Sequence, residues 1–462
     1  MTRRSTWLKT GLILSAVALA LRLSDIGNPL VDIDEQMYLL VGQRMWDGAI
    51  PYVDIWDRKP IGLFLIYAAS QLLPGDPIVA YHLVALAAAT ATAGLIAHFV
   101  RRLGSPAGAL PAGMVYLVWL ELAGGRGGQS PVFYTLLVVA AAMLTWQTLY
   151  EQRRHGTAAM LLIGVALQIK PTCVFEGALL GAALLLASWR RHRTVMRVVA
   201  DALLYATAAL APTAAAGLAY GAIGYADAWW FANVQSIFLR RVTDGQPIAD
   251  RLLGSLIVLS VPTVVAIRGV WSRRCVFVAS WLAAAIAGWL LVPPYFNHYA
   301  LPLLAPLAVA AGLALDRAAM RVLAAAAGVG LLLLSGYPHW GEAGDTRRRL
   351  AALAATIDRI DKGGCPFVFR APPALYTARH ACLPTRFPFP PHLVELSESG
   401  AIGIDPVGEV TRILAAAPPV IVVGPAGRDD DPRTVRLVAR AVATRYRPIA
   451  RDLGVTVYAR DN

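Results

Sequence analysis

Long apolar stretches punctuated by arginine clusters constrain this chain more than any other feature. A helix needs about 20 apolar residues to cross a hydrocarbon core of about 30 Å. In lipid every backbone polar group must also be satisfied inside the spanning structure, which leaves helices and closed barrels. Apolar runs lie near 8–23, 78–100, 106–123, 131–149, 157–169, 171–189, 195–223, 252–270, 275–292, 299–316 and 321–337. The expected fold is therefore an α-helical polytopic membrane protein with about eleven transmembrane helices. Composition agrees, with 57% hydrophobic and 15% charged residues, where a soluble chain has about 45–50% and about 25%. A soluble enzyme and a disordered chain are excluded, and four cysteines are too few for a disulfide scaffold.

Alternating the runs puts Arg101/Arg102, Arg153/Arg154, Arg190/Arg191/Arg193/Arg197, Arg268/Arg273/Arg274 and Arg317/Arg321 on one side, with Arg3, Arg4 and Lys9 of the N-terminus. By the positive-inside rule that side is cytoplasmic. The net charge of +13 is thus explained by topology, and nucleic acid is not an expected partner. The location implied is the cytoplasmic (inner) membrane, multi-pass, with the N-terminus inside. The first run is read as a retained anchor, because Ala20-Leu-Arg-Leu-Ser-Asp25 is a poor signal-peptidase site. The run at 157–169 is short, reaching only about 20 Å, and Lys170-Pro171 ends it.

Two regions follow from this map: a membrane domain over 1–338, whose first outer loop occupies 24–77, and an outward-facing α/β domain over 339–462. In the tail, strand-length runs at 366–369, 419–423 and 455–458 alternate with helical patterns at 343–361, 406–416 and 432–446. Cys365 and Cys382 flank a proline-rich loop there. An oxidising compartment would let them pair, closing a loop for about 3 kcal/mol. Cys173 and Cys275 fall in apolar runs and read as core residues. No phosphate-binding loop, dinucleotide fingerprint, nucleophile elbow or HExxH pattern occurs, so ATP-driven, dinucleotide and serine or zinc hydrolase chemistries have no support.

Polar residues concentrate in the first outer loop: Val31-Asp-Ile-Asp-Glu-Gln-Met-Tyr38, Arg44-Met-Trp-Asp-Gly48 and Pro51-Tyr-Val-Asp-Ile-Trp-Asp-Arg-Lys-Pro60. Asp32, Asp34 and Glu35 sit beside Trp46, Tyr52 and Trp56, which can stack on sugar or apolar groups, and beside Arg58 and Lys59, which suit an anion. A carboxylate base and a cation in one interfacial pocket fit an acceptor nucleophile and a phosphate leaving group. Asp32-Ile33-Asp34 also has the spacing of a short metal motif, so a divalent metal stays open, with no cofactor certain.

Asp34-Glu35-Xaa-Xaa-Tyr38, Gly48-Xaa-Xaa-Pro51-Tyr52 and Asp57-Arg-Lys-Pro60 resemble the first periplasmic loop of the GT-C glycosyltransferases. The branch they are most similar to comprises bacterial relatives of protein O-mannosyltransferases, the lipid A aminoarabinose transferase and lipopolysaccharide-core transferases. Pro294-Tyr-Phe-Asn-His298-Tyr299 before Leu301-Pro-Leu-Leu-Ala-Pro306 is similar to a late-span segment of such proteins, and Lys170 to another recurrent position. The resemblance covers about 1–340 in topology. It implies Asp34 as catalytic base and Lys59 on the donor phosphate; beside these we expect Glu35 at the catalytic site with Asp34, and Arg58, Lys170 and His298 on the donor phosphate with Lys59. Asp32, Tyr38, Tyr52, Trp56 and Tyr299 are then substrate contacts. The implied reaction moves a sugar from a polyprenyl-phosphate donor to a lipid, glycan or protein acceptor outside the membrane. A surface-lying helix at about 60–74 is also implied, too short to span.

The chain departs from that pattern at Gly128-Gln129-Ser130-Pro131, where several relatives carry a second acid. Glu121, Glu176 and Asp32 are the residues available to replace its charge. Two other readings stand beside the enzyme: a transporter or flippase of a lipid-linked solute, and a non-catalytic binder of lipid-linked sugar. Ionisable groups concentrated in one outer loop, without evident repeated halves, favour the enzyme.

Overall fold

The structure, a computed structural model, describes residues 3–273 and 275–461 of the 462-residue chain, with side chains from residue 7 onward. Arg274, counted above in a basic cluster, lies outside the described residues. The chain is 69% helical. Among the described residues five helices are long and apolar enough to cross a membrane: Pro77–Arg102, Ser130–Tyr150, Pro171–His192, Val195–Ala222 and Ile248–Arg273. Shorter apolar helices are Ile61–Ser70, Pro106–Leu122, Gly156–Leu167, Val276–Leu290 and Ala318–Leu334. Two compact units result, each built from separate stretches of chain.

The first unit comprises 1–26, 82–216 and 248–339. Its helices approach through small residues, as apolar packing without a hydrophobic driving force requires. A Cβ on Gly108 would come within 1.9 Å of the Gly312 carbonyl, and one on Gly269 within 2.0 Å of the Ala310 carbonyl. Either substitution would push backbones apart. Buried polar atoms are spent across the same contacts: Ser105 Oγ donates to Gly312 O at 2.9 Å and Trp119 Nε1 to Val258 O at 2.7 Å. The run expected as one span at 299–316 is instead a 3₁₀ helix, Asn297–Leu303, leading into the α-helix Leu304–Gly312. Pro302 and Pro306 account for the irregular start, since each removes a backbone donor.

The second unit comprises 27–81, 217–247 and 340–462. Its four-stranded sheet contains β1 (Phe367–Phe369), β2 (Val420–Val423), β3 (Tyr446–Asp452) and β4 (Val455–Arg460), in the order β1-β2-β4-β3. β1 and β2 are parallel, Val368 opposite Val422; β4 is antiparallel to both β2 and β3. Leu453 and Gly454, at φ 49° and 75°, make the two-residue turn between β3 and β4, a geometry that requires positive φ at both positions. The Pro406–Ala415 and Pro432–Arg445 helices begin at Asp405 and Asp431, whose carboxylates accept from backbone amides. Cys365 and Cys382 are disulfide-bonded, with Cα atoms 5.1 Å apart.

The first outer loop from residue 27 belongs to this unit; a helix was expected at about 60–74, while the one that opens the loop was not. It contains the helix Ile33–Trp46 and the short helix Ile61–Ser70. The stretch 224–251, read as a loop, is largely helical: Ala226–Trp230, a π turn Phe231–Gln235 and Ser236–Leu239. Gln36 Oε1 accepts from Ala374 N at 3.1 Å, so the loop helix and the tail share polar contacts.

Candidate functional site

Asp32 caps the Ile33–Trp46 helix: its backbone is extended and its Oδ1 accepts from Asp34 N at 2.8 Å. Capping therefore accounts for one carboxylate of the Asp32-Ile33-Asp34 tripeptide. Among the described residues no third carboxylate, His or Cys joins that pair at metal-holding distance. Asp34 and Glu35 occupy the first helical turn, where the helix dipole favours negative charge. They differ in burial: Glu35 is fully buried while Asp34 is partly open. Asp34 is thus the carboxylate that a substrate can reach.

One helical turn on, Tyr38 is buried and its hydroxyl has no hydrogen-bond partner among the described residues. Burial, with Asp34, Asp57 and Asp32 nearby, pushes the phenol well above its ordinary range. It therefore stays protonated and offers a donor. Lys59 Nζ lies 5.3 Å from the centre of the Tyr38 ring. Asp57 is buried, and burial raises its carboxyl, opposed by Lys59 and Arg58 and reinforced by Asp34. Asp34, Tyr38, Asp57 and Lys59 accordingly share one electrostatic neighbourhood.

The other loop residues build support. Tyr52, at φ 72°, is buried and donates its hydroxyl to Lys59 O at 2.9 Å, holding the segment that presents the lysine. Trp56 is buried against Phe231, Phe387 and His392, and its backbone N donates to Arg386 O at 2.7 Å. Both rings, expected as stacking surfaces, are occupied by packing. Arg58 is committed as well: its guanidinium makes a two-pronged pair with Glu398, Nη1 at 2.8 Å from Oε1, while Nε donates to Ser236 Oγ at 3.2 Å. Arg240 Nε closes the triad at 2.9 Å from Glu398.

Sequence reasoning missed Glu398, because 340 residues separate it from Arg58. It also named Asp57 in a motif without giving it a role. Burial would raise the Glu398 carboxyl, but Arg58 and then Arg240 hold it down to about 2. His392, buried beside it, is held down to about 3 by burial. Glu395 is pushed up to about 7 by burial and Glu398.

Unfolded, His392 would bind a proton below its ordinary 6.5 and Glu398 below 4.5. Their contributions are therefore complete above those values and lost on acidification, through about 3 and about 2. Glu395 runs the other way, losing its contribution as pH rises from 4.5 through about 7. Thermal unfolding followed between pH 7 and 4 is expected to show the advantage of the native chain over His392→Gln shrinking as pH falls below about 6.5. A pH-independent difference between the two would contradict a neutral buried imidazole.

In the first unit, Lys170 is nearly buried at a helix break, its Nζ 4.6 Å from the centre of the Tyr299 ring. Lys170, Thr172, Glu176, Trp289 and Tyr299 line one small cavity. Glu176 accepts from Trp281 Nε1 at 2.8 Å. His298 stacks on Phe296, with ring centres 5.8 Å apart, and meets Tyr299 edge-on at 5.0 Å. Lys170, His298 and Tyr299 are thus gathered in this unit, and Asp34, Tyr38, Lys59 and Arg58 in the other. Gln129 is fully buried at the start of the Ser130–Tyr150 helix.

No protein-family model and no curated protein matches the sequence. Solved structures do match. The crystal structure of ArnT from Cupriavidus metallidurans in the apo state aligns with a TM-score of 0.67 at 14% identity, covering 99% of this chain and 98% of that one. The structure of the same protein bound to undecaprenyl phosphate aligns with a TM-score of 0.64 at 14% identity, covering 98% and 97%. Likeness at this identity over nearly the whole of both chains is a statement about architecture. The chain has the overall fold seen in ArnT.

Proposed function

We infer that the chain is a multi-pass membrane glycosyltransferase that moves a sugar from a polyprenyl-phosphate donor to a lipid, glycan or protein acceptor. The observation that carries this reading is the pairing of a solvent-reachable carboxylate, Asp34, with a lysine, Lys59, around Tyr38 and Asp57 in one polar neighbourhood. The ArnT-like fold supports it, as does the binding of undecaprenyl phosphate by that relative. In this reading Asp34 accepts the proton of the acceptor nucleophile as its oxygen or nitrogen bonds to the anomeric carbon. The carbon–oxygen bond to phosphate breaks, and Lys59 and the Tyr38 hydroxyl compensate the charge on the departing phosphate. Inversion at the anomeric carbon follows from a single displacement.

Lys170, His298 and Tyr299, gathered in the first unit, are assigned to donor binding in this reading, and Asp32 and Glu35 shape the base. Arg58 acts one step back, through Glu398, by fixing the segment that carries Lys59. The chemistry takes place on the outer face of the cytoplasmic membrane, with the N-terminus inside and the tail outside, as the arginine distribution favours. A divalent metal at Asp34 is not required by these residues.

A lysine contact to a phosphate is worth about 1.5–3 kcal/mol, so Lys59→Ala is expected to weaken binding of polyprenyl phosphate by roughly 10- to 100-fold. Titration of the lipid into purified protein measures this. Unchanged affinity would remove Lys59 from the donor site.

A further inference from the structure

A second polar cluster, distinct from the candidate active site, lies within the first unit where three helices end. Asp25 follows the Arg3–Arg22 helix, Glu121 is in the last turn of Pro106–Leu122, and His339 follows Ala318–Leu334. One ligand atom from each lies within 4.8 Å of the others. Asp25 is 1% exposed and Glu121 5%; the two carboxyls face each other, and no N–H or hydroxyl donor among the described residues hydrogen-bonds to either. Buried carboxylates are otherwise paired or hydrogen-bonded, or they hold a metal.

Two cations face the cluster, the buried Arg22 and the more open Arg126. Arg22 donates to the carbonyls of Gly125, Arg126 and Gly127, shaping the loop that closes the cluster. Arg126 also faces the cluster: Nη2 stands 3.7 Å from Asp25, beyond hydrogen-bond distance, and Nη1 stands 3.2 Å from the His339 ring nitrogens. It rides on the glycine-flanked stretch 124–128 and is a quarter exposed, so its guanidinium can swing out to water. The ligand side is held more firmly. Tyr337 donates to Ala20 O at 2.6 Å and meets the His339 ring edge-on at 6.0 Å.

We propose that Asp25, Glu121 and His339 form a divalent transition-metal site, with Arg126 standing in the cation position when no metal is bound. Two carboxylate oxygens and one imidazole nitrogen are a zinc-type donor set; the imidazole disfavours calcium and magnesium. Water fills the remaining position. The metal ties together the ends of three helices, and the proposal does not depend on the transferase reading.

The test uses the full chain in nanodiscs, stripped with a chelator and titrated with Zn²⁺ against a zinc-sensitive dye, with bound metal counted by elemental analysis. One zinc per chain is expected. His339→Ala and Glu121→Gln should weaken binding by at least about tenfold, since even residues behind metal ligands act on that scale. Arg126→Ala should tighten it, because the competing cation is gone. That variant keeps the test decisive if Glu121→Gln fails to fold. Absence of stoichiometric zinc would overturn the proposal, leaving a proton shared between the carboxyls and the Arg126 charge as the full account. Zinc binding unchanged by both ligand variants would overturn it equally.

Discussion

Asp34→Asn is expected to lower turnover by about 10²–10⁴-fold, the range that a positioned general base contributes, while the affinity for polyprenyl phosphate stays close to that of the native chain. The substitution keeps the shape of the side chain and removes its capacity to accept a proton. Because Asp34 is partly open and Asp32 caps the helix, helix stability should barely change. The split between lost turnover and retained binding distinguishes a base from a structural carboxylate. A Glu35→Gln variant is the informative comparison: Glu35 is fully buried, so its loss should appear in folding yield before it appears in catalysis. Full turnover in Asp34→Asn would end the assignment.

The largest stability effect should come from Glu398→Ala. Glu398 is 2% exposed and is the shared partner of Arg58 and Arg240. Removing one member of a buried ion network leaves the others charged and desolvated, at a cost of about 3–5 kcal/mol. Thermal unfolding should move down accordingly. Disrupting the Asp345–Arg348 pair, whose side chains are more than half exposed, should cost under about 1 kcal/mol. Donor KM should also rise in Glu398→Ala, because Arg58 adjoins Lys59 and Tyr52 holds the same segment. Equal, small shifts for the two variants would show that the triad is not the clamp described.

Much of the tail was legible because its punctuation is chemical. Asp405-Pro406 and Asp431-Pro432 each supply a cap and a first-turn proline, and the expected helices at 406–416 and 432–446 match Pro406–Ala415 and Pro432–Arg445. β3 was not legible. It carries Arg447, Pro448 and Arg451 at the edge of the sheet, where proline and charge are tolerated and the apolar alternation of a central strand is absent.

The candidate site shows the same division. Its carboxylates and lysine could be read from local sequence, but Asp32-Xaa-Xaa-Glu35 was read as chemistry when it is also a helix-start signal. That is why the Ile33–Trp46 helix went unseen. The commitment of Arg58 to Glu398 depends on a contact between residues 340 apart, for which no local pattern exists.

The measurement that bears most directly on the central claim is an assay of the purified chain in lipid with a panel of polyprenyl-phosphate sugars and a mixed acceptor fraction, following release of polyprenyl phosphate. The account predicts that one donor is consumed, and that sugar appears on an acceptor with inverted anomeric configuration. Donor binding without release across the panel would contradict it, and would describe a protein that holds or moves lipid-linked sugars without transferring them.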